Sequence, residues 1–344
     1  MFPETMQWRK RKRILLIIIA LCVWLVWYVK FDGHHAVFKA QEVSSNFWGV
    51  TFSKKYAQEL GLDWREAYIA TIDDLGVKNI RLPVYWDDIE PQPGLFDFSE
   101  YEWMLKEGEA RDVKFIVNIG RRLPRWPECH QPAWTGVLPE AHVDARHLVA
   151  AQTAFEFFRE FDSIQYWQLE NEYFFPWFGL CPEANPDLLQ QEISYVRERD
   201  SRPIILTDSG ELNSWRKAAR YSDILGVTMY RVVWSNYFGY TRYPWPAALY
   251  RVKAAFADKD HSRMIVAELQ AEPWPSHFQS VTAITPNEAA KSFSLRQFET
   301  NAEIARRTGF RQAYFWGVEW WYWMLKQGDS SMWEKAREIF KTGS

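Results

Sequence analysis

The sequence predicts an α/β fold, a closed (β/α)8 TIM barrel preceded by an N-terminal transmembrane helix. Three observations lead to this prediction. An apolar run follows a basic cluster near the N-terminus, short apolar segments then alternate with amphipathic ones, and polar residues collect where the apolar segments end. Strands that alternate with helices imply a parallel sheet, and eight such units over about 300 residues fit a closed barrel. An open doubly wound sheet is the alternative, but no Gly-rich turn follows the first strand.

The composition is that of an ordinary globular protein. The 344 residues are 47% hydrophobic and 25% charged, with a net charge of -3, which is enough apolar material for one large domain. No basic block lies beyond the N-terminus, so a nucleic-acid partner is not expected. The 20 Trp, 16 Tyr and 23 Phe residues suit a core, and they also suit a cleft that stacks on sugar rings.

The N-terminal segment predicts an uncleaved membrane anchor. Basic residues at 9–13 precede an apolar run, and the segment 14–31 is just long enough, at about 1.5 Å per residue, to cross the hydrocarbon layer of a bilayer. The basic tail, 1–13, should stay in the cytoplasm, so that a short tether, 32–45, and the barrel domain, 46–344, lie outside it. A cleaved signal peptide is the alternative, but small residues in the Ala-x-Ala spacing do not follow the run.

Each unit of the predicted barrel pairs one strand with the helix that follows it. The predicted strands are 47–52, 78–84, 113–119, 164–169, 203–207, 224–230, 264–268 and 312–318. The predicted helices are 64–75, 99–110, 144–161, 187–197, 214–221, 247–256, 286–307 and 331–340. Ser99 suits an N-cap, Gly76 a C-cap and Pro286 a first helical turn. Long loops rich in Trp and Pro follow the third, fourth and seventh strands, and loops of that length are usually functional.

Two carboxylates at strand ends define a candidate active site, because functional groups of such barrels collect at the C-terminal ends of the strands. Glu172 follows the fourth strand and Glu268 ends the seventh. Opposed carboxyl groups are what acetal hydrolysis requires, since one protonates the leaving oxygen and the other attacks the anomeric carbon or activates water. Side chains alternate along a strand, so Asn171 and Glu172 can share the mouth only if the strand ends or bulges there. Glu170 would then point inward, below the acid.

Neighbouring strands supply possible partners for the attacking carboxylate. Arg81 on the second strand and Tyr230 on the sixth could hold it ionised by charge and hydrogen bonding. Taken alone, Arg81 suits a structural ion pair and Tyr230 a core position. Glu272, four residues beyond Glu268, is the alternative nucleophile. The other polar or aromatic residues at strand ends are Tyr85, Trp86, Asn118, Arg121, Asp208, Arg231, Trp316 and Glu319.

Three segments carry a resemblance to a known group of enzymes. Residues 169–173, Leu-Glu-Asn-Glu-Tyr, resemble the Asn-Glu motif that ends the fourth strand of retaining glycoside hydrolases in the (β/α)8 clan A, which includes cellulases and β-galactosidases. The form here is closest to families 35 and 42, and the wider likeness extends to family 5. Residues 79–86, Asn-Ile-Arg-Leu-Pro-Val-Tyr-Trp, resemble the second strand, and residues 265–268 resemble the segment of the nucleophile. Phe174 stands where families 35 and 42 have Gly, and no aromatic-Gly pair follows Glu268, which bears on the substrate more than on the chemistry.

The resemblance implies a role for each matching residue. Glu172 would be the general acid/base and Glu268 the nucleophile of a double displacement. The remaining implied roles concern substrate binding and the nucleophile's surroundings: Asn171 at the sugar 2-hydroxyl, Arg81 and Tyr230 at the nucleophile, and Trp316 below the sugar ring. Trp86, Asn118 and Glu319 complete the predicted substrate-binding set. Candidates for ring stacking, each of which also suits plain packing, are Trp86, Trp126, Trp134, Trp177, Trp234, Trp274 and Trp320.

The sequence therefore predicts a membrane-anchored retaining β-glycoside hydrolase that acts on an oligo- or polysaccharide, with its carboxyl groups about 5 Å apart. A non-catalytic carbohydrate-binding barrel and a transglycosylase acting on envelope glycans remain alternatives. No cofactor or metal is expected, because the sequence has no His-x-x-x-His pair, phosphate loop or Cys cluster. Cys129 and Cys181 either pair in an oxidising compartment or remain free thiols, and the distance between them decides.

Overall fold

A computed structural model describes residues 15–16, 19–20 and 46–342. Apart from those two pairs of helical positions, the predicted tail, anchor (14–31) and tether (32–45) lie outside the described residues. No helix among the described residues is long and apolar enough to cross a membrane.

Residues 46–342 form a closed barrel of eight parallel strands, which confirms the predicted barrel. The strands of the barrel are β1 (Trp48–Thr51), β2 (Asn79–Tyr85), β3 (Lys114–Gly120), β4 (Ile164–Leu169), β5 (Ile204–Asp208), β6 (Ile224–Met229), β9 (Met264–Gln270) and β10 (Gln312–Trp316). They close in the order β1-β10-β9-β6-β5-β4-β3-β2. An antiparallel hairpin, β7 (Val232–Ser235) and β8 (Gly239–Arg242), lies outside the barrel. The seventh and eighth strands of the barrel are therefore β9 and β10.

Helices surround the barrel. They are α1 (Lys54–Glu59), α2 (Trp64–Asp73), α3 (Trp86–Ile89), α4 (Ser99–Glu109), α5 (Glu140–Phe158), α6 (Pro186–Arg197), α7 (Arg216–Tyr221), α8 (Ala247–Phe256), α9 (Pro286–Ser292), α10 (Leu295–Arg307), α11 (Val318–Lys326) and α12 (Ser331–Thr342). Polar N-caps fix several starts: the side chain of Asp63 accepts from the backbone N–H of Arg65 at the start of α2, and Asn185 caps α6 just ahead of Pro186.

Several element boundaries differ from the prediction for local reasons. The single helix predicted over 286–307 is two helices, because Phe293 has extended backbone (φ -149°, ψ 136°) and the side chain of Ser294 then caps α10. The strand predicted over 312–318 ends at Trp316, because Gly317 has a φ of 135° and α11 starts at the next residue. The short helices α1, α3 and α11 and the β7–β8 hairpin were not predicted.

The barrel interior changes from apolar to polar along its axis. Ile116, Tyr166, Ile205 and Tyr314 belong to a buried apolar layer inside the barrel. Because side chains alternate along a strand, the next inward positions lie two residues further on. These are the buried Asn118, Gln168, Thr207 and Trp316, which form a mostly polar layer at the C-terminal ends of the strands. The apolar layer thus supports a polar one at the mouth, where the candidate site lies.

Candidate active site

Glu268 reaches the polar layer through an irregularity in β9. Val227 pairs with Val266, but the next residue, Thr228, pairs with Glu268, so one residue of β9 is extra at that point. The pairing with β10 shifts in the same region. A bulge of this kind redirects the side chains that follow it. Ala267 lies in the apolar layer, and Glu268 is directed into the mouth, where it is 3% exposed.

Both oxygens of the Glu268 carboxylate are held by partners. Nη1 of Arg81 donates to Oε1 at 2.9 Å, and the Tyr230 hydroxyl donates to Oε2 at 2.9 Å. The fully buried Arg81 also donates to Gln168 Oε1 and Asn171 Oδ1, each at 2.7 Å. The guanidinium balances the negative charge, and the two hydrogen bonds fix the orientation of the carboxylate.

The turn after β4 places the second carboxyl group. β4 ends at Leu169, and Glu170 and Glu172 both adopt left-handed backbone, with φ of 59° and 43°. Such conformations cost on the order of 1–2 kcal/mol per non-glycine residue and cluster at functional sites. Thr207 on β5 stabilises the turn, since its hydroxyl accepts from the Glu172 N–H at 2.8 Å and donates to Asn171 Oδ1 at 2.9 Å. Because the strand ends here, Asn171 and Glu172 both reach the mouth.

The surroundings of Glu172 disfavour its charged form. Its side chain is 7% exposed, and burial raises its pKa well above the usual value. The charges of Glu268 and then Glu128 raise this pKa further. A raised pKa favours the protonated form of Glu172, which is the state that a general acid needs.

A third carboxyl group, Glu128, belongs to the same site. It comes from the loop after β3, and Nδ2 of Asn171 donates to its Oε2 at 3.2 Å. Burial, followed by the charge of Glu268, raises the pKa of Glu128 to about 8. Three carboxyl groups therefore lie close enough to influence one another, and Arg81 forms an ion pair with one of them, Glu268.

The loop after β3 also carries an arginine to the far side of the mouth. The guanidinium carbon of Arg125 lies 3.5 Å from the ring centroid of Tyr56 and 4.0 Å from that of Trp316. Arg125 pairs with Glu272 and, at 3.0 Å, with Glu319. Glu272, the alternative nucleophile, is thus occupied by Arg125, whereas Arg81 and Tyr230 hold Glu268.

Other predicted residues lie near the mouth or beside it. Trp86 packs against Trp134 and His147. The buried amide of Asn118 has no hydrogen-bond partner within the described part of the chain. Glu319 accepts from the backbone N–H of Ser53 as well as from Arg125, and burial raises its pKa to about 7. These contacts give Trp86 and Glu319 structural partners in the protein itself.

Glu170 faces the loop after β3. Its carboxylate accepts from the backbone N–H groups of Arg121 and Arg122, at 3.0 and 2.6 Å. Burial raises the pKa of Glu170 to about 7. The residue therefore anchors the β3 loop to the end of β4.

Cys129 and Cys181 form a disulfide with a Cα–Cα distance of 5.3 Å. The bond joins the loop after β3 to the loop after β4, directly beside Glu128. The two loops that carry Glu128 and Glu172 are therefore held together covalently.

One buried cluster outside the mouth has the residue types of a metal site. Ligand atoms of His147, Glu170 and Glu192 lie within 4.8 Å of one another. The His147 ring lies between the two carboxylates, with Nε2 3.5 Å from Glu170 and Nδ1 3.3 Å from Glu192. A single ion cannot use both ring nitrogens, so the arrangement also suits carboxylates that share protons with an imidazole.

Sequence reasoning missed Glu128, Arg125, Gln168 and Thr207. The last two could have been found by extending the alternation of β4 and β5 to their C-terminal ends. The other two lie in a long loop, where the only signal is the Trp- and Pro-rich segment that contains both of them and Cys129.

The comparisons with known proteins bear on the fold. Neither the scan against protein-family models nor the search of curated proteins gives a match. Among solved structures, a GH5_18 protein from Bifidobacterium longum in complex with Manβ1-4GlcNAc aligns with a TM-score of 0.57 and 11% identity, over 86% of this chain and 78% of that one. A β-glucosidase from Exiguobacterium marinum aligns at 0.51 and 13%, over 82% and 89%. A GH5_18 protein from Streptomyces cattleya in complex with GlcNAc aligns at 0.53 and 15%, over 80% and 70%.

These neighbours are (β/α)8 glycoside hydrolases of clan A, so the fold that the sequence resemblance implied is confirmed. At identities of this size the likeness concerns the fold alone. The activity has to be argued from the site itself.

Proposed function

We propose that the chain is a retaining β-glycoside hydrolase in which Glu268 is the nucleophile and Glu172 the general acid/base. The observation that carries the proposal is the difference between the two carboxyl groups. Glu268 is held at both oxygens by Arg81 and Tyr230, while burial and the charge of Glu268 raise the pKa of Glu172. Paired carboxyl groups with opposite protonation are the requirement of acetal cleavage.

In the first step a Glu268 oxygen attacks the anomeric carbon. The bond from that carbon to the leaving oxygen breaks, and the proton of Glu172 moves to this oxygen, so that an alcohol departs and a glycosyl ester remains on Glu268. The hydrogen bonds from Arg81 and Tyr230 keep the carboxylate aimed during the attack.

Ester formation removes the charge of Glu268, which is the largest charge contribution to the raised pKa of Glu172. Glu172 therefore becomes more acidic at the point where it must act as a base. In the second step it takes a proton from water, the water oxygen attacks the anomeric carbon, and Glu268 leaves as a carboxylate. The sugar is released with its original configuration.

The test is hydrolysis of aryl β-glycosides by the chain, with the first anomer of the product identified by NMR. We expect release of the β-anomer, loss of turnover in Glu268→Gln, and normal turnover in Glu183→Gln, which changes an exposed carboxylate on the β4 loop. First release of the α-anomer would show inversion, and binding without cleavage would favour a carbohydrate-binding barrel. Transfer to an added sugar in preference to water would favour a transglycosylase.

We also propose that residues 14–31 anchor the enzyme in the cell membrane, with the barrel outside the cytoplasm. The basic residues ahead of the apolar run support this orientation, and a Cys129–Cys181 disulfide suits an oxidising compartment. The full chain should stay in the membrane fraction after alkaline washing, and added protease should degrade the barrel in spheroplasts. Release by the wash, or protection from the protease, would refute this placement.

A further inference from the structure

The catalytic side chains lie beneath loops that meet across the mouth of the barrel. Glu172, Glu268 and Trp316 are all buried. An enzyme that cuts inside a polysaccharide needs a groove open at both ends, so that the chain can pass the catalytic pair. The contacts between these loops therefore decide which substrates can reach the site.

The β3 loop crosses to the opposite side of the barrel. In the closed strand order, β3 and β9 lie four positions apart, which places them opposite each other. Arg125 of the β3 loop pairs with Glu272, which follows β9, and with Glu319, which follows β10. All three side chains are buried, so separating them would leave the charge of Arg125 without a partner in the protein interior, which is strongly unfavourable.

The β4 loop is joined to the β3 loop along its length. Besides the disulfide, the N–H of Leu180 donates to the carbonyl of Pro127 at 2.9 Å, and Nη2 of Arg122 donates to the carbonyl of Phe178 at 2.7 Å. Hydrogen bonds also join the segments that follow the other neighbouring strands of the barrel. Ser53 contacts Tyr85 and Glu319, Tyr85 contacts Pro124, Asn213 contacts Phe174, and Glu211 contacts Tyr230.

A second set of contacts joins the β3 and β4 loops to the β9 loop, and these contacts are aromatic and more exposed. Phe178 lies 5.6 Å from Trp274, and Trp126 stacks on Phe278 at 6.4 Å, between ring centroids. Trp126 is 56% exposed and Phe278 is 60% exposed. Parting these rings breaks no buried ion pair, so these contacts separate more easily than those of Arg125.

We infer that the site is a blind pocket that accepts one terminal sugar, so that the enzyme removes single residues from the non-reducing ends of β-linked glycans. This inference rests on the proposed function. Glu172 follows β4 and protonates the leaving oxygen, so the leaving group lies towards the β4 loop, whose Phe178 contacts Trp274 only through their rings. The sugar under attack then lies towards Arg125 and Trp316, where buried ion pairs close the rim.

The test has a turnover arm and a binding arm. A tetrasaccharide labelled at its reducing end should first yield the labelled trisaccharide; a labelled disaccharide as the first product would overturn the inference. In the Glu268→Gln protein, calorimetry compares a methyl β-glycoside with the same glycoside bearing an O-benzyl cap on its sugar. We expect the capped compound to bind at least tenfold more weakly, and binding of both within twofold would contradict a blind pocket.

The binding arm keeps the two proposals distinguishable. If no glycoside is cleaved, the proposed hydrolysis fails, while the comparison of capped and free glycosides still tests the pocket. Binding of neither glycoside would overturn the pocket as well.

A variant pair locates the closed end. Arg125→Ala in the Glu268→Gln background should reduce the preference for the free glycoside at least fivefold, because the buried pairs are lost. Arg242→Ala, on the exposed β7–β8 hairpin, removes an arginine away from that rim and should leave the preference unchanged. An unchanged preference in a folded Arg125→Ala protein would contradict the assignment of Arg125 to the closed end.

Discussion

At the scale of single residues, two glutamate side chains of the site, Glu268 and Glu172, differ only in their surroundings. Glu268 has a guanidinium on one oxygen and a phenol on the other, while the backbone N–H of Glu172 is held by Thr207 and its carboxyl group is buried beside negative charge. The first environment favours a carboxylate and the second favours a carboxylic acid. The assignment of nucleophile and acid follows from that difference.

Tyr230→Phe removes one of the two groups that hold Glu268. A hydrogen bond to a charged group contributes about 1.5–3 kcal/mol, so kcat/KM should fall about 10- to 100-fold with little change in stability. Tyr237→Phe makes the same chemical change on a side chain that is 91% exposed, and its kinetics should match those of the wild type. Equal kcat/KM for Tyr230→Phe and the wild type would contradict the role given to this phenol.

Glu128→Gln tests the electrostatic link between the three carboxyl groups. Above pH about 8 Glu128 is ionised, and its charge raises the pKa of Glu172. Without that charge Glu172 should lose its proton earlier, so the alkaline limb of the kcat/KM profile should move to lower pH by roughly 0.5–1 unit. Glu183→Gln serves as the control and should leave the profile unchanged. An alkaline limb that stays in place or moves to higher pH in Glu128→Gln would refute the electrostatic link.

The residues that sequence could place are those at strand ends. The strand period and the C-terminal mouth of a barrel put Arg81, Tyr230 and Glu268 among the candidates, and the resemblance to clan A implied their roles. Glu128 and Arg125 were not predicted, because residue spacing in a long loop does not show which way a side chain points. The bulge in β9 was not predicted either, since the apolar segment before Glu268 has the sequence of a regular strand.

At the scale of elements, the loops after β3 and β4 behave as one unit. The disulfide joins them, and Gly179 allows them to approach, because a Cβ built at that position would lie 2.7 Å from Cβ of Glu128. Gly179 also has a φ of 88°, in the left-handed region. Sequence placed these loops correctly as long segments, but left open whether Cys129 and Cys181 pair.

Gly179→Ala should push the two loops apart and move Glu128 away from Asn171. Gly94→Ala is a matched control, because Gly94 has a φ of 78° but no neighbouring atom within 4 Å of the point that a Cβ would occupy. Both variants should lose about 1 kcal/mol from backbone strain, measured by denaturant unfolding, whereas only Gly179→Ala should lose activity. Equal activity in the two variants would show that the close approach does not shape the site.

At the scale of the whole molecule, an apolar layer deep in the barrel supports a polar layer, and the turns and loops beyond that layer carry several carboxyl groups with raised pKa values. Burial raises the pKa of Glu170, Glu211 and Glu319 to about 7 and that of Glu128 to about 8. The eight-unit barrel was predictable from the alternation of strands and helices, because the pattern persists over the whole chain. The break at Phe293 was not, since a Pro286 start and a continuous polar pattern favour one long helix.

These raised pKa values predict that stability falls with rising pH. Each carboxyl group keeps its proton in the folded state above its unfolded pKa, so its contribution is complete at acid pH and is lost as pH rises through 7–8. The melting temperature should fall by several degrees between pH 6 and pH 8, since each group contributes up to about 1.4 kcal/mol per pH unit. Glu211→Gln should reduce the slope, and a flat or rising melting temperature would contradict the burial of these groups as acids.

The most direct test of the central claim is to trap the glycosyl-enzyme with a 2-deoxy-2-fluoro β-glycoside of the sugar that the substrate panel identifies, and to locate the label by peptide mass spectrometry. Fluorine slows both steps, and a good leaving group lets the first proceed, so the ester accumulates. The label should lie on Glu268, with one sugar per chain. A label on Glu172 or Glu272, or no label while the same sugar's aryl glycoside is being hydrolysed, would contradict the mechanism.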